Sequence, residues 1–143
     1  QAIPVAAAGN FGLDYPFWPG AWGQVISVSA AQGEGYASPP WEKKKDTPLL
    51  TAETDNPGKQ NRISNYGEVM LPGEYSAAAG VLSGTSFAAP RLSVVLARYA
   101  AAVGPAVCRT GDGRPALATG NWDNLTLAQA AQAHCPDLLP FVP

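Results

Sequence analysis

One heptapeptide carries residue types and an order that could perform covalent chemistry: Gly84-Thr85-Ser86-Phe87-Ala88-Ala89-Pro90. A hydroxyl that follows a glycine and precedes small helix formers falls in the first turn of a helix. A helix N-terminus presents unpaired N–H groups and partial positive charge. Ser86 therefore stands where backbone donors can stabilise an oxyanion developing on a bound carbonyl. Gly84 permits a tight turn and the close approach of a substrate. Thr85, between them, belongs to the same substrate-facing turn. The same residues also fit an ordinary helix cap, so the heptapeptide alone leaves both readings open. A second candidate is Asn10, which closes the run Val5-Ala6-Ala7-Ala8-Gly9-Asn10. An Asn amide at the end of a strand can aim an N–H at a carbonyl oxygen without adding a titratable charge. By itself Gly9-Asn10 is equally a simple turn.

These residues need elements to hold them. The apolar run 3–8, stopped by Gly9-Asn10, predicts a buried strand of a parallel sheet. Residues 24–30 (QVISVSA) are rich in β-branched side chains and predict a second strand. The loop between them carries Pro16, Pro19 and aromatic residues. A short strand is expected over 69–71, ended by Pro72-Gly73. Residues 77–82 are small and apolar, and Ser83-Gly84 turns the chain. From Thr85 the period changes. Ala88, Leu92, Val95, Leu96, Tyr99 and Val103 recur at helical spacing, and Gly104-Pro105 ends the pattern. Pro90 falls early in that helix, where a missing N–H costs least. Thr126 is placed to cap a short second helix over 127–133.

The segment 32–62 holds four prolines and the run Lys43-Lys44-Lys45 with few apolar residues. It reads as a surface insertion with a solvated charge run. With 143 residues, 46% of them hydrophobic, the chain is long enough for one domain with a core. A net charge of −2 gives no sign of nucleic acid or an anionic membrane as partner. No apolar run reaches the length of a membrane span. Gln1-Ala2-Ile3-Pro4 lacks the basic region of a signal peptide and reads as a strand entered midway.

Cys108 and Cys135 are the only cysteines, and a pair cannot fill a four-ligand zinc site. A disulfide is expected in preference to free buried thiols. It would close a loop of about 28 residues and stabilise by about 3–4 kcal/mol in the chain-entropy model. It would also place the protein outside a reducing cytosol, secreted or extracytoplasmic.

The heptapeptide around Ser86 resembles the nucleophile motif of the subtilisin-like serine peptidases. Three further segments are similar to that family and match its order along the chain. Val5 to Asn10 looks like the strand whose closing Asn donates to the oxyanion hole. Tyr15-Pro16 with the strand 24–30, and Ile63-Ser64-Asn65-Tyr66-Gly67 with Met70-Leu71-Pro72-Gly73, look like the segments that come next. The resemblance implies an α/β fold, the C-terminal part of a subtilisin-like parallel sheet flanked by helices, with right-handed crossovers. It implies Ser86 as nucleophile and Asn10 as oxyanion donor. It also implies that Ala7, Ala8 and Gly9 wall the primary specificity pocket. Asp14 is similarly placed to acids that select Arg or Lys at P1, although a loop Asp is also an ordinary solvated turn residue.

The departures from the family pattern are as informative. The family's triad runs Asp, His, Ser along the chain. No histidine precedes Ser86, and the only one, His134, follows it by 48 residues. His134 is expected to be structural or exposed. The triad Asp and His are expected before Gln1, on an upstream half of the same peptidase. The chain by itself is then inactive, a fragment or processed chain. Its partners are that half and a peptide or protein substrate. No metal or other cofactor is implied, and no residue is assigned to a calcium ion. A different class of reading is a catalytically inactive interaction module that keeps the fold. A nucleophile elbow is disfavoured, because no Gly-x-Ser-x-Gly occurs.

Overall fold

The computed structural model describes residues 2–31, 64–78, 80–104 and 106–143. The insertion expected at 32–62 lies outside the described residues. Four strands form a parallel sheet: β1 (Val5–Ala7), β2 (Ile26–Ala31), β3 (Val69–Pro72) and, after three intervening elements in chain order, β6 (Leu125–Thr126). Those intervening elements include β4 (Glu74–Ala77) and β5 (Gly80–Ser83), a separate antiparallel hairpin, and the long helix α1 (Thr85–Val103). The sheet order is β1-β2-β3-β6. The chain closes with α2 (Leu127–His134) and a 3₁₀ helix, Pro136–Phe141. The fold is α/β, as expected.

β2 explains how the sheet is covered on both faces. Its side chains alternate, with Ile26, Val28 and Ala30 on one face and Ser27 and Ser29 on the other. All five are buried. The apolar face, continued by Val69 and Leu71 of β3, meets Ala88, Leu92, Val95, Leu96 and Tyr99 of α1 in one core. Burying a side chain the size of Leu92 contributes about 1.5–3 kcal/mol. The serine face lies over a polar network. Ser29 Oγ bonds the Val69 carbonyl at 3.2 Å and also meets Asn124 Oδ1. Buried hydroxyls and amides are tolerated there because they are paired.

The helix spacing holds as far as Tyr99, whose ring meets Phe141 at 5.2 Å. Val103 does not join the core; it is 58% exposed. It has the right angular position, but it is the last residue of α1, one turn beyond the point where Phe141 closes the core. Gly104 then ends the helix at φ 96, its N–H bonded to the Ala100 carbonyl at 2.9 Å. Thr126 caps α2 as expected. Its hydroxyl accepts the Gln129 N–H at 3.2 Å, and Gln129 Oε1 accepts the Thr126 N–H at 3.0 Å.

The hairpin β4–β5 is a correction to the sequence reading, which placed no strands at Glu74–Ala77 or Gly80–Ser83. The run Ala77-Ala78-Ala79 hides the alternation that would have signalled it. β6 was also missed, because two residues are too few to show a period. Cys108 and Cys135 are joined as a disulfide, with Cα atoms 5.4 Å apart. Among the described residues no helix is long and apolar enough to cross a membrane.

Candidate active site

α1 is preceded by its N-cap, Gly84, whose backbone lies at φ 147 and ψ 170, a region that only glycine occupies readily. Glycine has no side chain to cap the helix, so the first N–H groups of α1 look elsewhere. The Thr85 N–H finds Asn10 Oδ1 at 3.0 Å. In return the Gly9 N–H donates to Thr85 Oγ1 at 3.2 Å. The end of β1 and the start of α1, 75 residues apart in sequence, are thus fastened by a reciprocal pair.

The pair has a chemical consequence. An Asn amide carries one acceptor and one donor end. With Oδ1 held by Thr85, the Nδ2 end is the one left to donate outward. A Cβ built on Gly84 would lie 3.2 Å from Asn10 Nδ2, so the amide passes directly over this glycine. Ser86, the second residue of α1, is exposed beside it. Pro90 lies inside α1 and withholds the N–H that would otherwise bond the Ser86 carbonyl.

The hairpin braces this turn. The Gly84 N–H bonds the Gly73 carbonyl at 2.9 Å, and the Gly73 N–H bonds the Ala31 carbonyl at 3.1 Å. A Cβ on Gly73 would fall 2.3 Å from that of Ala30, so only glycine allows the approach. Phe87 stacks on Tyr75 with ring centres 5.9 Å apart and planes 5° from parallel. Arg91 donates from Nη2 to the Glu74 carbonyl at 2.9 Å.

The loop that carries Asn10 has its own fastening, which the sequence reading did not assign. Asn65 is fully buried. Its Oδ1 accepts the N–H groups of Phe11 at 2.9 Å and Leu13 at 3.0 Å, and its Nδ2 donates to the Ala8 carbonyl at 3.1 Å. Its own N–H donates to the Gly9 carbonyl at 2.8 Å. The neighbouring Ser64 accepts the Ala30 N–H on its hydroxyl at 2.9 Å and so ties this segment to β2. The available signal was an Asn beside a Gly67 turn and next to an expected strand, which does not distinguish a clamp from a loop.

The expected wall residues are placed as follows. Ala7 ends β1 and is half-buried, and Gly9 is also half-buried. Ala8, expected to line the pocket, is fully buried and offers a ligand no surface of its own. Its carbonyl is taken by the Phe17 N–H at 2.8 Å as well as by Asn65. The Phe17 ring lies 3.3 Å from where a Cβ on Gly9 would sit, and it packs on Phe11 with ring centres 4.9 Å apart. Asp14 is exposed, between Leu13, whose N–H and carbonyl are both held, and the buried Pro16.

His134 is exposed and lines a separate cavity of about 330 Å³ with Thr110, Asp112, Arg114 and Thr119 among others. The lining includes neither Asn10 nor any residue of the first turn of α1. Close to that cavity lies the buried carboxylate of Glu68. Its Oε1 accepts the Gly120 N–H at 2.5 Å and its Oε2 accepts the Thr119 hydroxyl at 2.8 Å. Burial pushes its carboxyl above the ordinary 4.5, against the pull of these bonds.

A serine at a helix N-terminus, with an amide donor oriented beside it, can attack a carbonyl and hold the resulting oxyanion. A base for the serine is not among the residues gathered here. In sequence comparison, a family model described as "Subtilase family" matches residues 1–106. Among curated proteins nothing matches.

Proposed function

The chain belongs to the subtilase family of serine peptidases, and on that premise we propose that it is the nucleophile-bearing portion of a subtilisin-type serine endopeptidase. The observation that carries the reading is the hydrogen bond from the Thr85 N–H to Asn10 Oδ1, which turns an amide donor toward the space beside Ser86. Ser86 Oγ attacks the scissile carbonyl, and its proton passes to an imidazole supplied from outside these residues. The carbonyl oxygen becomes an oxyanion held by Asn10 Nδ2 and the Ser86 N–H. Collapse expels the amine, protonated by the same imidazole, and leaves an ester on Ser86. Water then hydrolyses the ester and returns the proton.

A serine hydroxyl without a base is a weak nucleophile, so these residues alone are inactive and the triad Asp and His come from an upstream half. His134 is assigned no part in the reaction; it lines the cavity with Thr110, Asp112 and Thr119. The chemistry uses no cofactor. Ala7 and Gly9 border the primary specificity pocket, and an acid at Asp14 would favour Arg or Lys at P1. The disulfide fits an oxidising, extracytoplasmic site of action.

A fluorophosphonate probe on the complete protein tests the reading. Ser86 is labelled, and Ser86→Ala abolishes both labelling and peptide hydrolysis. A folded complete protein that takes no label would instead be an interaction module. A P1 peptide library decides Asp14: equal cleavage after Phe and Arg removes it as a selector.

A further inference from the structure

We infer that Asn65 is a positioning residue for the oxyanion-stabilising amide of Asn10, and the inference rests on the peptidase reading above. Asn10 is exposed in the bend that follows β1, yet an oxyanion donor must be held to within a fraction of an ångström to be useful. The chain on both sides of Asn10 is fixed by one buried side chain. Asn65 takes the Phe11 and Leu13 N–H groups after it and the Ala8 carbonyl before it, while the Asn65 backbone N–H takes the Gly9 carbonyl. Tyr66 adds a bond from its N–H to the Leu13 carbonyl at 2.9 Å. Positions 8, 9, 11 and 13 are therefore clamped, and residue 10 is carried between them with its Oδ1 on Thr85.

Only an amide meets this set of partners. Two N–H groups need an acceptor and one carbonyl needs a donor, in the spacing of a single planar fork. A carboxylate of the same shape keeps the acceptors but turns an oxygen toward the Ala8 carbonyl. An aliphatic side chain takes the acceptor away from the Phe11 and Leu13 N–H groups and leaves the Ala8 carbonyl with only its bond from the Phe17 N–H. The fit is tight from the other side too. A Cβ on Gly9 would stand 2.7 Å from Asn65 Nδ2, and Gly9 lies at φ 108. Gly9 and Asn65 thus form one contact. Asn65 touches no reacting atom, so any effect on the reaction passes through Asn10.

The test is a double-mutant cycle in the complete peptidase between Asn65→Asp and Asn10→Ala. Asn65→Asp alone should lower kcat on the order of 10- to 100-fold, with KM within about twofold, because loss of alignment acts on the transition state rather than on binding. In the Asn10→Ala background the same substitution should cost less than about threefold, as expected for residues that act as one unit. Additive losses would overturn the positioning role and leave Asn65 as a purely structural residue. If Asn10→Ala itself loses no activity, the role of Asn10 as oxyanion donor fails instead, and if the complete parent protein hydrolyses no peptide, the peptidase reading underneath fails. Gly9→Ala disturbs the same contact from the other side and keeps the test alive if Asn65→Asp does not fold. It should give the same loss in kcat, and an unchanged kcat in folded Gly9→Ala protein would overturn the proposal.

Discussion

Asn10 and Thr85 are joined through the Asn10 Oδ1 and the Thr85 N–H at 3.0 Å, so the residue before the proposed nucleophile orients the proposed oxyanion donor. One bond thus serves two purposes. It caps a helix whose N-cap glycine has no side chain, and it fixes which end of an amide faces outward.

The two purposes can be separated at Asn10. Asn10→Asp keeps the acceptor for Thr85, and a carboxylate is favourable near a helix N-terminus. It loses the donor. The melting temperature should stay near that of the parent protein. The value of kcat should fall by the amount known for removing such a donor from subtilisin itself, about 2.7–4 kcal/mol of transition-state stabilisation. Asn10→Ala should show the same kinetic loss and, in addition, about 1 kcal/mol less stability from the lost cap. Steady-state kinetics and thermal melts of the complete protein, run side by side, check both.

Gly84→Ala should be costly although it adds only a methyl group. The backbone at φ 147 resists a Cβ, at about 1–3 kcal/mol, and the new carbon would press on Asn10 Nδ2. Urea denaturation should show the strain, and kcat should drop at least about tenfold as the amide is displaced. Parent-like kcat would mean that the amide does not act where it now lies.

Glu68 should make stability depend on pH in a specific direction. Its carboxyl is raised in the folded protein, chiefly by burial, so the folded state holds this proton more tightly than the unfolded state. The protonated form's advantage is complete below the ordinary 4.5 and is lost as pH rises through the raised value. Glu68→Gln removes this titration and keeps an acceptor for the Gly120 N–H. Its stability relative to the parent protein should therefore improve as pH rises from 4 toward 7, read from denaturant midpoints about half a unit apart. A difference that is flat with pH would show that Glu68 titrates as an ordinary carboxylate.

The disulfide should matter for stability and not for chemistry. Cys108 and Cys135 are buried beside Leu117 and Leu138, on the C-terminal side of the fold. Replacing both by Ser should cost about 3–4 kcal/mol, with a further contribution from burying hydroxyls. The kcat of the protein that remains folded should be unchanged. A matching loss in kcat would tie this region to the active site.

The sequence by itself determined the local structure and singled out candidate reacting groups. The period of α1 from Ala88 to Tyr99, the Thr126 cap and the strands before Asn10 and over 26–30 are properties of neighbouring residues, set by backbone sterics and the alternation of burial. Ser86 and Asn10 stood out as candidates because a Gly-Thr-Ser turn before an alanine-rich helix and an amide closing a strand are local patterns, and the resemblance of the segments around them gave those patterns a proposed role. The tertiary structure alone decided what depends on contacts between distant segments. Examples are the pairing of Asn10 with Thr85, the clamp of Asn65 on the loop 8–13, the burial of Ala8 and the end of the core at Phe141. Each of these is a hydrogen bond or packing contact between segments tens of residues apart, and spacing along a chain carries no information about which distant group will supply the missing partner.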